Sequence, residues 1–232
     1  MTTTATADPP QRIFPEATAV AALAPLLAAG PYLPWGAGVM RAAGLVEVCN
    51  DVVLRDRRCV VELGGGTSTV LLARLLRERS SPGEAVQVVV EHDARWAQWL
   101  RAQLDREGLG DRVSVLEAPL AAHPLALHDL EWYDDTLLRH GLDLALGSRQ
   151  VDLLVVDGPP ADTAERVLAR YPGLPCLADR MAPGATVVLD DVERPGEQEV
   201  LRRWEAELAV SFTRRGDLAG IAVASVPTRG LT

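Results

Sequence analysis

Short, nearly unbroken apolar runs alternate with longer amphipathic stretches along most of the chain. Residues 58–63, 85–91, 112–117, 151–157 and 185–190 are runs of the first kind. Their length and valine content predict strands buried on both faces, as in a parallel sheet. Between them, residues 68–79 carry Val70, Leu71, Leu72, Leu75 and Leu76 at helical spacing. Residues 94–107, 161–170, 174–181 and 197–208 read as further helices. The last stretch differs. Residues 209–213, the turn Arg214-Arg215-Gly216-Asp217 and residues 219–226 read as a β-hairpin. Upstream, residues 17–29 predict a helix kinked at Pro25. A turn-rich link from Gly30 to Gly36 and an apolar helix over 39–54 follow.

This order of elements predicts a doubly wound α/β fold. Its sheet is mostly parallel and seven-stranded, with a C-terminal antiparallel hairpin and an N-terminal helical cap. The expected divisions are a disordered Thr-, Ala- and Pro-rich terminus at 1–11, the cap at 12–56 and the α/β domain at 57–232. Residues 121–149 are too long for a simple connection and are expected to form an insert.

Composition narrows the picture. The 232 residues are 48% hydrophobic but only 4% aromatic, so aliphatic side chains must fill the core. A net charge of −9 argues against a nucleic-acid surface. Cys49, Cys59 and Cys176 are widely spaced and fit reduced core residues better than a zinc site. No stretch reads as a leader or a membrane span, which points to a cytoplasmic protein acting on a small molecule. A homodimer is compatible with the pattern. The chain has no lysine, so every basic residue other than histidine is a permanently charged arginine.

The unusual residues fall at the carboxyl ends of the predicted strands, where open α/β sheets bind ligands. The first strand ends in Glu62 and then Gly64-Gly65-Gly66, followed by Thr67 and Ser68. The glycines let the backbone approach a ligand closely. A dinucleotide fingerprint would need glycine where Thr69 stands. Glu62 suits a cationic amino group better than a pyrophosphate. The second strand ends in Glu91-His92-Asp93, and the Glu91 carboxylate suits the two hydroxyls of a ribose. Trp96, four residues after His92, is a candidate to cover an adenine. Glu117 and Ala118 close the third strand and suit the edge of an adenine slot.

Glu62-Leu63-Gly64-Gly65-Gly66-Thr67 resembles the first motif of the Rossmann-like S-adenosylmethionine (SAM)-dependent methyltransferases, E-x-G-x-G-x-G. Ser68 stands where the third glycine would be. The resemblance extends over residues 58–226. It implies that Glu62 and the glycine loop meet the methionine part of SAM, Glu91 the ribose and Ala118 the adenine region.

Two later strand ends sharpen this expectation. Asp157 tips one strand, and Asp190-Asp191 tip another. Three converging carboxylates repel one another unless a proton or cation joins them, and oxygen ligands suit Mg²⁺. The run Leu189 to Gly196 is similar to the corresponding stretch of catechol-type, metal-dependent O-methyltransferases, with Asp191 in place of asparagine. The resemblance implies Asp157, Asp190 and Asp191 as metal ligands. It also requires a catalytic lysine where Pro160 stands, so the proton must go elsewhere. Asp157, His123 and His128 are the candidate bases. Trp132 and Tyr133 offer flat area for a ring or adenine, or core packing, and the segment of Tyr32 and Trp35 is expected to cover substrate. The leading expectation is metal-assisted O-methylation of a natural product or sugar. A metal-independent N- or carboxyl-methyltransferase and a non-catalytic SAM-binding partner are the alternatives. A nicotinamide dehydrogenase is disfavoured by Glu62 and Thr69.

Overall fold

Alternate residues of each central strand face opposite layers, and this builds two cores on one sheet. Val61, Leu63, Val88, Val90, Leu154, Val156, Val187 and Leu189 point into one core; Val60, Val89, Leu153, Val155 and Val188 point into the other. The computed structural model describes residues 9–36, 38–228 and 231.

In chain order, helices α1 (Pro9–Ala28) and α2 (Ala42–Leu54) precede strand β1 (Cys59–Leu63). Then come α3 (Thr67–Arg79), β2 (Val86–Glu91), α4 (Ala94–Arg106) and β3 (Val113–Glu117). Strands β4 (Leu120–Ala122) and β5 (Glu131–Tyr133) form a small antiparallel pair ahead of α5 (Asp135–Leu146). The remainder is β6 (Val151–Val156), α6 (Gly173–Leu177), β7 (Met181–Leu189), α7 (Pro195–Glu207), β8 (Phe212–Arg214), α8 (Gly216–Ala219) and β9 (Ala222–Ser225). The seven-stranded sheet runs β3-β2-β1-β6-β7-β9-β8. Its first five strands are parallel, and β9 and β8 are antiparallel.

The expected architecture is therefore present, with local corrections. Helix α1 begins at Pro9 and runs through Pro25, so residues 9–11 are helical; residues 1–8 lie outside the described part. Helices α1 and α2 share one core with α3 and α4. Residues 161–170 hold only a 3-10 turn at Ala164–Arg166 instead of the expected helix. Pro159, Pro160, Pro172 and Pro175 crowd its ends, and each lacks an amide donor for a helical ladder. The 121–149 stretch is the β4–β5 pair plus α5, whose Leu138, Leu142 and Leu146 are core residues. The terminal hairpin holds the short α8 between its strands.

Strand order reverses between β1 and β6. Doubly wound sheets open a crevice beyond the strand ends at such a point. The tips of β1 and β6 are stitched together here, where the Asp157 amide donates to the Leu63 carbonyl at 2.9 Å.

Candidate active site

A cavity of about 600 Å³ lies over this switch point. Its wall runs from Glu91, His92, Asp93 and Trp96 past Gly64, Gly65 and Tyr133 to Asp157, Asp190 and Asp191. A second cavity of about 370 Å³ shares Gly38, Val39, Gly65, Trp96 and Asp157 with it and reaches the start of α3 at Gly66, Thr67 and Ser68.

The glycine loop has a steric reason for two of its three glycines. Gly64 has φ +88°, and a Cβ there would lie 2.8 Å from the Gly158 nitrogen. A Cβ on Gly65 would meet Val89 and Leu100 at 2.8 and 2.9 Å. Gly66 precedes α3 in extended backbone, where a side chain would meet nothing. The opening of α3 faces the smaller cavity, and a helix N-terminus favours an anionic group there.

Glu62 does not line either cavity. It is fully buried, and its two oxygens accept hydrogen bonds from the hydroxyls of Ser68 and Thr69, the latter at 2.5 Å. Burial pushes its carboxyl up to about 7, against the lowering effect of those two bonds. The acid thus braces the loop from behind. The Thr67 hydroxyl donates to the Pro34 carbonyl at 2.5 Å, which pins the segment before α2 over the loop.

Glu91 does line the larger cavity. One oxygen accepts from the His92 and Asp93 amides at 2.7 and 2.8 Å, and the other from the Gly65 amide at 3.2 Å. The His92 imidazole Nδ1 lies 2.8 Å from the same carboxylate. Trp96 donates its indole N–H to the Gly65 carbonyl at 2.6 Å and stacks on Trp99 at 4.4 Å. The acid, loop and indole therefore form one rigid wall. Glu117 and Ala118 are not part of it. Glu117 pairs with Arg101, and Ala118 is buried behind Glu91.

Neither histidine proposed as a base reaches the cavity wall. His123 packs edge-on against Trp132 and lies 3.3 Å from Asp135; His128 is exposed in a turn with φ +55°. His123, Asp135 and Cys176 form a separate trio, with Arg139 bonded to Asp135. Trp132 is a core residue, and Tyr133 is equally buried with its hydroxyl over Gly158. Tyr32 and Trp35 are exposed; the cavity is covered instead by Pro34, Gly36, Gly38, Val39 and Met40.

The three strand-tip acids do converge. Asp157, Asp190 and Asp191 bring carboxylate oxygens within 4.8 Å of one another. Asp191 adopts φ +60°, a conformation that aspartate tolerates better than most residues. Burial, and then the charge of Asp190, hold the Asp157 carboxyl well above its usual range. Burial, and then Asp191, push Asp190 up to about 6.

The sequence reading missed Arg170, which lies among these acids and is only 3% exposed. Its guanidinium donates to the carbonyls of Asp157 (2.9 Å), Asp190 (3.2 Å) and Pro159 (3.3 Å). It also lies 3.2 Å from the Asp157 carboxylate and 3.0 Å from that of Asp191. Burial works against its charge, and Asp157, Asp191, Glu197 and Asp190 more than offset this, so its pKa is raised. Arg194 holds Asp191 from outside at 2.9 Å. Glu197, 1% exposed, faces both arginines at 3.9 and 3.8 Å, and burial pushes its carboxyl up to about 7.

Residues 61–192 match a family model described as "Methyltransferase domain". No curated protein matches the chain. Among solved structures, the chain is similar to the O-methyltransferase TomG from Streptomyces achromogenes, involved in tomaymycin synthesis and solved with SAM. Identity is 22%, coverage is 90% of this chain and 89% of that one, and the TM-score is 0.55. An O-methyltransferase from Bacillus cereus, in complex with SAH, is 19% identical over 96% and 93% of the two chains, with a TM-score of 0.53. The SAH-bound methyltransferase PaMTH1 from Podospora anserina is 13% identical over 94% and 88%, with a TM-score of 0.58. At such identities the likeness is one of fold.

Proposed function

The chain belongs to the methyltransferase-domain family, and on that premise we propose that it transfers the methyl group of SAM to a hydroxyl oxygen of a small molecule, a natural product or a sugar. One observation carries this reading. The cavity runs without a break from the loop-bound carboxylate of Glu91 to the acids at the tips of β6 and β7.

The wall fits SAM in three ways. Glu91 keeps a carboxylate on the cavity wall for a ribose diol. Gly64 and Gly65 let the loop pack against Gly158, Val89 and Leu100 while its backbone lines the cavity. The start of α3 faces the smaller cavity with the polarity that a carboxylate needs. Glu62 acts indirectly, by holding Ser68 and Thr69 in the first turn of that helix. Bound SAM supplies an electrophilic methyl group on a sulfonium. The chain's own task is to align the acceptor oxygen with it, to exclude water and to take a proton. Asp157 is the proton acceptor in this reading. It lies on the cavity wall, and a carboxyl held above its usual range is the stronger base. The O-methyltransferases among the structural neighbours support oxygen over nitrogen as the acceptor.

The expected Mg²⁺ fits less well. The three carboxylates are close enough to share an ion. Two of them, however, already accept from Arg170, and one also from Arg194. No step above passes through a metal.

The cofactor assignment is tested by titrating the protein with SAM and with S-adenosylhomocysteine in a calorimeter. Micromolar binding of both is expected; no heat at millimolar ligand would remove the reading. Acceptor-dependent release of S-adenosylhomocysteine across a panel of hydroxylated compounds then tests the reaction.

A further inference from the structure

We propose that Arg170 is the resident cation of the Asp157–Asp190–Asp191 cluster and occupies the electrostatic role of a divalent metal, so that ligand binding and methyl transfer need no metal ion. The inference rests on the methyltransferase reading for its chemistry, but its central measurement does not.

The geometry argues this directly. Magnesium holds carboxylate oxygens at about 2.1 Å in a near-octahedral shell. One guanidinium nitrogen, Arg170 Nη2, already lies 3.2 Å from Asp157 Oδ1 and 3.0 Å from Asp191 Oδ2, on two of the three carboxylates that an ion would need. Asp191 Oδ2 also accepts from Arg194 at 2.9 Å. A dication entering the cluster would have to share its ligands with two permanent cations. Arginine cannot give up its proton to relieve that repulsion.

Nor can Arg170 swing aside at low cost. Its remaining donors are tied to the carbonyls of Asp190 and Pro159, with a further bond to that of Asp157. These carbonyls belong to the turns after β6 and β7. One planar group thus fixes both strand tips and offsets part of their charge. A buried guanidinium stripped of those bonds would lack partners for several donors.

The cluster still carries more acid than base. Asp157, Asp190, Asp191 and Glu197 face Arg170 and Arg194, while Arg41 nearby is paired with Glu193. That surplus suits a site visited by a singly charged, soft cation such as a sulfonium, together with one proton. The guanidinium supplies the permanent part of the compensation and positions the carboxylates.

The test uses the full-length protein with Mg²⁺ and Mn²⁺ as probes. For the wild type, the unfolding midpoint in millimolar Mg²⁺ or Mn²⁺ is expected to equal that in chelator, and affinity for S-adenosylhomocysteine to be the same in both. In Arg170→Gln the guanidinium charge is gone and the acids remain. Millimolar Mn²⁺ is then expected to raise the midpoint by about 2–4 °C or more. A residue with a merely structural role would not confer a cation response. A cation-dependent rise of that size in the wild type, or loss of S-adenosylhomocysteine binding in chelator, would overturn the proposal. So would an Arg170→Gln protein that folds and stays indifferent to both ions. If that variant does not fold, Arg170→Lys retains the charge and is expected to remain indifferent; a cation response there would count against the idea. Failure of the wild type to bind S-adenosylhomocysteine under any condition would instead remove the cofactor reading and leave the cation measurements intact.

Discussion

Two of the buried arginines, Arg74 and Arg170, are partnered very differently. Arg74, on α3, is fully buried and meets a single acid, Glu107, through two hydrogen bonds of 2.7 and 2.8 Å. Its remaining donors reach the carbonyls of Leu26, Leu27 and Pro31, and Gln103 donates to Glu107 at 2.6 Å. Charge is balanced and every donor is used. Arg170 meets the opposite situation: three carboxylates, Asp157, Asp191 and Glu197, lie within ion-pair distance of it or Arg194, and Asp190 adds a fourth negative neighbour. The first cluster ties α1 and its following link to α3 and the end of α4. The second holds more carboxyl groups than cations beside a cavity wall. Buried ion pairs add little net stability when complete and cost much when broken. An imbalance that persists in a folded protein is completed by protons or by a cationic ligand.

The contrast predicts that removing an acid has opposite consequences in the two places. Asp157→Asn is expected to lower kcat by about 10²–10⁴-fold, the usual range for losing a general base. Its unfolding free energy at pH 8 is expected not to fall. Steady-state kinetics with denaturant unfolding on the same preparation separates the two effects. Glu107→Gln should do the reverse. It leaves Arg74 buried without its counter-charge, and about 3–5 kcal/mol of stability should be lost. A loss below about 1 kcal/mol in urea unfolding would break the comparison.

The two clusters also carry opposite signs in pH. Asp190 and Glu197 are pushed up to about 6 and about 7, mainly by burial. The folded state then binds more protons than the unfolded one between the ordinary and the raised values. The stability these groups contribute is present at low pH and lost as pH rises through 6 and 7. For Glu107, burial works upward but the hydrogen bonds from Arg74 and Gln103 outweigh it, and its carboxyl is held below its usual range. Its contribution is present above its ordinary value and lost as pH falls. Asp190→Asn should flatten the decline of ligand-free stability between pH 4 and 7 by on the order of 1–3 kcal/mol. Thermal unfolding across that range measures it, and an unchanged profile would count against the imbalance. The smallest effect belongs to the half-exposed pair of Arg41 and Glu193 beside the acid cluster. Arg41→Gln should change stability by only about 0–1 kcal/mol. A larger loss in the same unfolding assay would mean that Arg41 shares the charge of the cluster.

Much of the cavity was legible in the residues, because strand tips are. The period of the apolar runs located β1, β2, β6 and β7, and the residues just beyond them, Gly64, Gly65, Glu91, Asp157, Asp190 and Asp191, line the cavity. The residues that lie away from the cavity follow a pattern. Glu62 stood in the right place in the chain, but strand alternation turns its side chain behind the loop, onto Ser68 and Thr69. Glu117 and Ala118 end a strand two places from the switch point and miss the cavity for that reason. His123 and His128 were candidates because both lie in the long segment after the third strand, and the β4–β5 pair carries them away from the cavity.

By itself, then, the sequence determined the layered α/β architecture, the glycine turn into α3 and the convergence of three acids, since these follow from local periodicity and from where strands end. Only the tertiary structure decided what answers those acids. Arg170 lies in a proline-flanked stretch that reads as a helix but folds mostly as turns, and its partners are carbonyls and carboxylates from other segments. Which charges a buried arginine meets is set by long-range packing. No spacing along the chain encodes whether a cluster of acids is held by a guanidinium or left open to a metal.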